Sequence, residues 1–284
     1  RIRRITVQTG IYGNNKRRGK QWGRNLMLGI QFFICWVFVS LTAALYLQAE
    51  KTTNSLLHTL SQKEKSEILS IPLDYPFMKN EEKLALIERF KQHAGVKEIL
   101  LSDVGYMQGM SGNGLTTEKG NENSWVDISV MAVPANFFSF MNIPIEQGRL
   151  PQTEKDIVVD NVWQEMQKKD VIGMNLYSGN TDYTICGISA PFQANVYNRS
   201  SGYAFLPYDP SVYIGHCYIK SHPGQQKEVA RWIEKVYREM LPENITYQAK
   251  TFLNDIHVLQ ALEYNLKDII LFFAVISIII TLLG

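Results

Sequence analysis

The residues of this chain with chemical potential are five histidines, three cysteines and one glycine-rich stretch. His58, His93, His216, His222 and His257 are scattered. Only His216 and His222 lie near each other. On a strand running that far they would share a face, with Cys217 pointing away, and a solvent-facing strand explains the pair more simply than a metal site with its closed ligand set. No G-x-S-x-G, H-E-x-x-H or C-x-x-C motif occurs. Carboxylates are plentiful, but nothing in the sequence pairs two of them in an apolar pocket, as general acid–base work would need. The reading is therefore of a non-enzyme with no metal and no cofactor. Gly105 to Ser124 contains Gly105, Gly109, Gly112, Gly114 and Gly120 but lacks the Lys-Ser/Thr that follows a phosphate-binding glycine loop. It reads as a mobile loop or the tip of a long hairpin. Cys186 and Cys217 sit in strand-like runs, YTICGIS and YIGHCYIK; two buried thiols are favoured over a bridge, which an oxidising compartment would permit. Asn198-Arg-Ser and Asn244-Ile-Thr fit the glycosylation acceptor pattern, which arises often by chance.

Two apolar runs frame whatever the rest of the chain does. Leu26 to Leu47 is 22 residues without a formal charge, inside an uncharged window from Asn25 to Ala49. At ~1.5 Å per residue it reaches ~33 Å, enough for a ~30 Å hydrocarbon core. It is longer than the apolar region of a secretory signal and lacks a small-residue cleavage site. The 24 residues before the window hold Arg1, Arg3, Arg4, Lys16, Arg17, Arg18, Lys20 and Arg24, and no acid. The whole chain is +2, so the remainder carries −6. A basic flank stays on the cytoplasmic side, which places the following segment outside. Beside a membrane span, topology is a simpler reading of these charges than nucleic-acid binding. The second run, Ile269 to Gly284, has 16 uncharged residues, or ~24 Å of helix. It is expected to be the start of a second span, cut short; a buried core helix is the competing reading. With Arg1 in place of a methionine, the chain reads as a piece of something longer.

The expected organisation is a cytoplasmic basic connector over residues 1–24, a transmembrane helix over 25–49, and an extracytoplasmic core domain with its stalk over 50–252. A second stalk helix over 253–268 and the truncated second span over 269–284 complete it. The stalks carry apolar stripes, Leu56, Leu57 and Leu60 on the first, which is expected to stay helical to Leu69, and Ile256, Leu259 and Leu262 on the second. Between them the patterns predict a helix capped by Asn80, strands at Val96–Val104 and Trp125–Val133, and a buried strand at Asp156–Asp160. A helix capped by Asn161, a strand at Tyr183–Ser189 and strands at Tyr203–Pro207 and Tyr213–Lys220 follow. The clearest amphipathic helix has Val229, Trp232, Ile233, Val236, Tyr237 and Met240 on one face. A strand is expected at Ile245–Phe252.

Four local patterns agree with one another. Arg24-Asn-Leu-Met-Leu-Gly-Ile-Gln-Phe-Phe leads into the first span; Pro134-Ala-Asn-Phe-Phe-Ser-Phe-Met-Asn-Ile-Pro-Ile-Glu-Gln-Gly-Arg follows in the outer region. Ile157-Val-Val-Asp-Asn-Val-Trp then precedes Val171-Ile-Gly-Met-Asn-Leu, and Tyr183-Thr-Ile-Cys-Gly-Ile comes next. Together these resemble the periplasmic core domain of MacB/FtsX-type ABC transporter permeases over most of residues 24–284, and the first span resembles the fifth of the eight-span members. The resemblance implies an α+β fold: two transmembrane helices flanking a mixed α/β extracytoplasmic domain of two lobes. It implies a permease subunit of the bacterial inner membrane that relays the motion of a separate cytoplasmic ABC ATPase to its outer domain. A dimeric permease arrangement and a periplasmic partner protein go with that; nucleic acid does not. The motif residues Asn136, Phe137, Phe138, Gly148 and Arg149 are expected to build the fold rather than touch a substrate. The cargo stays open among peptide, lipid, lipoprotein and a cell-wall hydrolase regulator. The alternative reading is the ligand-sensing region of a two-span membrane receptor.

Overall fold

A computed structural model describes residues 15–107, 114–194, 201–242, 245, 250–259 and 261–283. The chain divides into two units. One contains α1 (Asn15–Ser55) as far as Lys51, together with α8 (Ala261–Leu283). Within α1, Trp22–Gln48 is long and apolar enough to cross a membrane, and none of it is buried inside the structure. It is the one such helix among the described residues. The 23-residue α8 carries Glu263, Lys267 and Asp268 in its first turns, so its uncharged part begins only at Ile269. Phe38 of α1 and Phe273 of α8 stack at 6.3 Å.

The Thr52–Leu259 unit is a mixed α+β domain built on two sheets. The first is antiparallel and contains β1 (Leu69–Pro72), β2 (Val96–Ser102), β9 (His216–Ser221) and β10 (Lys250–Thr251), in the order β10-β1-β9-β2. Successive strand residues point to opposite faces, and here both faces are buried. Leu69, Ile71, Cys217 and Ile219 pack under α3 (Asn80–Lys91) and α6 (Gln226–Met240), which contribute Leu86, Ile87, Phe90, Val229, Ile233, Val236 and Tyr237. Their alternates, among them Ser70 and Tyr218, face the other way.

The second sheet has the order β3-β8-β5-β7-β4, with β6 also on β7. Its strands are β3 (Ser129–Val133), β4 (Ile145–Gly148), β5 (Asp156–Asp160), β6 (Asn175–Ser178), β7 (Thr181–Ser189) and β8 (Tyr203–Pro207). The β3–β8 and β5–β7 pairs are parallel and the others antiparallel. One face buries Ile157, Val159, Ile185 and Ala204 with Trp163 of α5 (Asn161–Gln167). The opposite face supplies Met131, Val158 and Phe205 to a central core shared with Leu100 and Tyr218 of the first sheet. A single turn, α4 (Phe137–Phe140), sits in that core.

Several elements differ from the sequence expectation, each for a physical reason. The first helix stops at Ser55 instead of running to Leu69. Leu57 takes φ +49°, its N–H bonds the Gln193 carbonyl at 2.8 Å, and Leu56, Leu57 and Leu60 turn into the central core. A continued helix would have left that stripe in water; the break buries it. A new helix, α2 (Gln62–Glu67), starts from a capping box: Ser61 Oγ accepts from Glu64 N–H, and the Glu64 carboxylate accepts from Ser61 N–H at 2.8 Å. Of the second stripe, Ile256 is buried in the same core and Leu259 packs against it, within α7 (Phe252–Leu259); the Leu262 side chain lies outside the described residues. Asp160, not Asn161, caps α5, its Oδ1 accepting from Trp163 N–H at 3.0 Å. Asn80 opens α3 but spends its amide on the carbonyls of Pro210 and Ser211, while Glu82 accepts from Lys79 N–H at 2.8 Å. The Trp125–Val133 run pairs as a strand only from Ser129, with Trp125 exposed. Of the Ile245–Phe252 run, Lys250 and Thr251 pair and Phe252 begins α7; residues 246–249 lie outside the described residues, as do 108–113 of the glycine-rich stretch and Asn198 and Asn244.

Candidate functional site

The motif residues 136–149 lie where the two sheets meet. Phe137 is fully buried, with ring centroids 5.2 Å from Tyr106, 5.5 Å from Phe138, 5.7 Å from Phe192 and 5.5 Å from Phe205. Phe138 is 5.3 Å from Phe205. These are edge and tilted arrangements, the favourable geometries for aromatic quadrupoles. Polar contacts hold both ends of α4. Asn136 Nδ2 donates to the Ile99 carbonyl at 3.0 Å and to Glu98 Oε1 at 3.2 Å, both on β2. At the other end Lys220 of β9 donates to the Phe140 carbonyl, and Thr59 Oγ1 donates to the Met141 carbonyl at 2.6 Å. Asn142 bonds Glu64 at 3.0 Å. The α4 turn thus sits under the second sheet by its rings and on the first by its ends.

Gly148 and Arg149 close the motif. Gly148 has φ +75°, and a Cβ there would lie 2.3 Å from the Cys186 carbonyl oxygen. Its register partner Gly187 is equally crowded, since a Cβ would stand 2.4 Å from the Arg149 carbonyl. Only a pair of glycines lets β4 and β7 approach this closely. Arg149 then forks onto Asp156, Nη1 to Oδ2 at 2.7 Å and Nη2 to Oδ1 at 3.1 Å. Asp156 Oδ2 also accepts from the N–H groups of Gln152 and Thr153 at 2.9 and 3.1 Å. The guanidinium bond, helped by those two N–H groups, holds the Asp156 carboxyl down at about 2. A depressed carboxyl adds stability above its unfolded pKa, and that stability is lost as pH falls through the folded value. The urea midpoint of the wild type should accordingly fall between about pH 4 and pH 2, and Asp156→Asn should lack that part of the slope while being less stable at pH 7. Equal acid slopes in the two proteins would remove Asp156 from the account.

Among the described residues, Ser70, His216 and Asp255 form a Ser-His-Asp grouping, joined across 146 and 185 positions of sequence. Ser70 Oγ lies 2.8 Å from His216 Nε2 and donates to Asp255 Oδ2 at 2.5 Å. Ser70 is 1% exposed and His216 2%. The carboxylate takes the serine proton directly and does not orient the imidazole, so the relay order of a nucleophilic triad is not met. Burial pushes His216 down to about 3, which keeps it neutral. Among the described residues no group of three His, Cys, Asp or Glu could hold a metal ion. His222 follows the end of β9, as its N–H bonds the Gly95 carbonyl at 2.8 Å. Cys186 and Cys217 are free buried thiols in different cores.

Two hollows border the motif. A groove of about 320 Å³ is lined by Val133, Pro134, Phe138, Pro151, Pro207 and Tyr208. A shallower one runs past Asn142, Pro144, Ile145, Gly148 and Arg149. Polar residues line part of both, Gln152, Thr153 and Glu154 in the first and Ser139, Asn142 and Arg149 in the second. The sequence could not show that Asn136 reaches Glu98 and Ile99, or that Arg149 reaches Asp156. Asp156 stands seven residues beyond Arg149 across a loop, so no helical or strand period links the two.

No protein-family profile matches the chain, and no curated protein matches its sequence. Solved structures of transporter domains are similar to it, two of them as follows. The periplasmic region of MacB from Actinobacillus actinomycetemcomitans aligns with 72% of this chain and 98% of its own, at 12% identity and a TM-score of 0.46. The extracellular domain of YknZ, a noncanonic ABC-type transporter from Gram-positive bacteria, aligns with 64% of this chain and 95% of its own, at 12% identity and a TM-score of 0.42.

Proposed function

We propose that the chain is part of a permease subunit of an ABC transporter of the mechanotransmission type. Residues 25–49 cross the inner membrane from a basic cytoplasmic connector, the 52–259 domain lies outside, and α8 begins a second span. The carrying observation is that the chain's two routes into the domain share one core: Leu56, Leu57 and Leu60 from the first side, Phe252, Ile256 and Leu259 from the second. A packed core transmits displacement because its elements cannot shift independently. Motion delivered to either helix by a cytoplasmic ATPase dimer would therefore move the domain as a body. In this reading Asn136, Phe137, Phe138, Gly148 and Arg149 join the lobes and touch no cargo, and hydrolysis belongs to the ATPase. The local motifs that resemble MacB/FtsX-type permeases favour this over a two-span receptor, which would share the span–domain–span order.

The test has two parts. A cysteine replacing exposed Lys119 should react with a membrane-impermeant thiol reagent in intact spheroplasts, and one replacing Lys16 should not. The reverse pattern removes both the permease and the receptor. Next, with the ATPase subunit co-expressed, Leu259→Ala should insert normally yet lower the dependence of outer-domain movement on ATP, since truncating a buried leucine typically costs ~2–5 kcal/mol and less where it is partly wet. An outer domain whose label distances ignore nucleotide in the wild type would favour the receptor.

A further inference from the structure

The helix α7 is fixed to the domain by apolar and polar contacts. Thr251 and Asn254 cap it reciprocally, Asn254 N–H to Thr251 Oγ1 at 3.3 Å and Thr251 N–H to Asn254 Oδ1 at 3.2 Å. Phe252 and Ile256 are buried, the Phe252 ring 4.5 Å from Tyr218. Between those two anchors, on the half-buried side, Asp255 reaches Ser70 of β1, and Ser70 reaches His216 of β9.

The donor count fixes the direction of this chain. An ionised carboxylate only accepts, so the Ser70 hydroxyl spends its one proton on Asp255. The short contact to His216 must then run from Nε2–H to Ser70 Oγ, which sets the imidazole tautomer. Each donor is satisfied only while the next member is in place. Burial raises the Asp255 carboxyl and lowers His216, and Lys250 on β10 acts on both charges. If α7 lifted away, the Ser70 hydroxyl would lose its acceptor, while His216 would keep Ser70 beside it on β1; the cost of the unpaired hydroxyl falls on the undocked state alone. The apolar contacts of Phe252 and Ile256 have no such all-or-none character. We propose that Asp255, Ser70 and His216 form a latch that gives α7 two discrete states, docked and released, and so decides whether the segment preceding α8 is coupled to the first sheet. The latch belongs to the domain and stands whether or not the chain is a transporter subunit.

The experiment uses the full chain in lipid nanodiscs, with Cys35 replaced by serine and spin labels on introduced cysteines. One pair sits at Val258 of α7 and Lys97 of β2, both exposed. A control pair sits at Glu88 of α3 and Lys97. Wild type should give a single narrow Val258–Lys97 distance. Ser70→Ala and Asp255→Ala should each add a second, longer distance, raising the released fraction by about tenfold or more, with the control pair unchanged. The double variant should release α7 no further than either single one, because both cut the same chain. Additive effects, an unchanged Val258–Lys97 distance in both single variants, or equal broadening in the control pair would each overturn the latch.

Discussion

Replacing Phe137 with alanine is expected to destabilise the Thr52–Leu259 domain by about 3–5 kcal/mol, the range for removing a fully buried aromatic ring. The site is poorly able to collapse. Four rings, from Tyr106, Phe138, Phe192 and Phe205, stand around Phe137 within 5.2–5.7 Å. They come from the loop after β2, from α4 itself, from the loop after β7 and from β8, so no single movement closes the hole. Because total stability for a domain of this size is about 5–15 kcal/mol, the variant should be close to unfolded at 37 °C. Urea unfolding of the solubilised full chain, followed by near-ultraviolet circular dichroism, would read the loss as a fall in midpoint. Phe137→Leu keeps much of the volume and should cost about 1.5 kcal/mol or less. If the alanine variant lost no more than the leucine variant, the ring cluster would not be what holds the lobes together.

Gly148→Ala should have the second largest effect, and a control within the same chain separates its causes. At φ +75° an alanine pays about 1–2 kcal/mol of left-handed strain. Its Cβ would also overlap the Cys186 carbonyl at 2.3 Å and sit 2.9 Å from Gly187 Cα. Both neighbours are backbone of β7, whose parallel pairing with β5 and antiparallel pairing with β4 and β6 leave it little room to move. Forcing it aside adds about 1–3 kcal/mol, for a total of about 2–5 kcal/mol. Gly173 has φ +83° but nothing within 4 Å of its Cβ position. Gly173→Ala therefore measures the strain alone. The difference between the two variants in urea midpoint isolates the clash, and a difference of zero would show that β4 drifts from β7 at no cost.

The sheet interior was the legible part of this protein. Val158 and Val159, or Ile185 and Ile188, announce themselves by composition, and Tyr183–Ser189 and Asp156–Asp160 pair as strands where their patterns predict. The 3.6-residue stripe of α6 was equally plain, since Val229, Ile233, Val236 and Tyr237 all face one core. Local signals failed where two of them competed. Leu56, Leu57 and Leu60 fit a continuing helix, yet the Ser61–Glu64 capping box was present in the sequence and marked a new start. Contacts that join distant strands were not legible at all. Ser70, His216 and Asp255 each look ordinary in their own segments, and only the β1–β9 register with Pro72 opposite His216 brings the first two together. The Gly148-Arg149 pair was visible as a motif, while its reason, two facing glycines and a carboxylate beyond a loop, needed the fold.

The shared central core also sets a constraint on biosynthesis. Its earliest members are Leu56 and Leu57 and its latest are Phe252 and Ile256, about 200 positions further on. At ~5–20 residues per second of translation, the first leucines wait on the order of 10–40 s for the residues that cover them. During that interval the inward faces already made stay open to water, while Phe205 and Tyr218 are themselves added only in its last part. Pairings this distant along the chain also close slowly, because the loop must be ordered before contacts repay it. A nascent chain of this kind is exposed to aggregation until α7 arrives, and a ribosome stalled before Phe252 would yield a product that quality control should treat as unfinished.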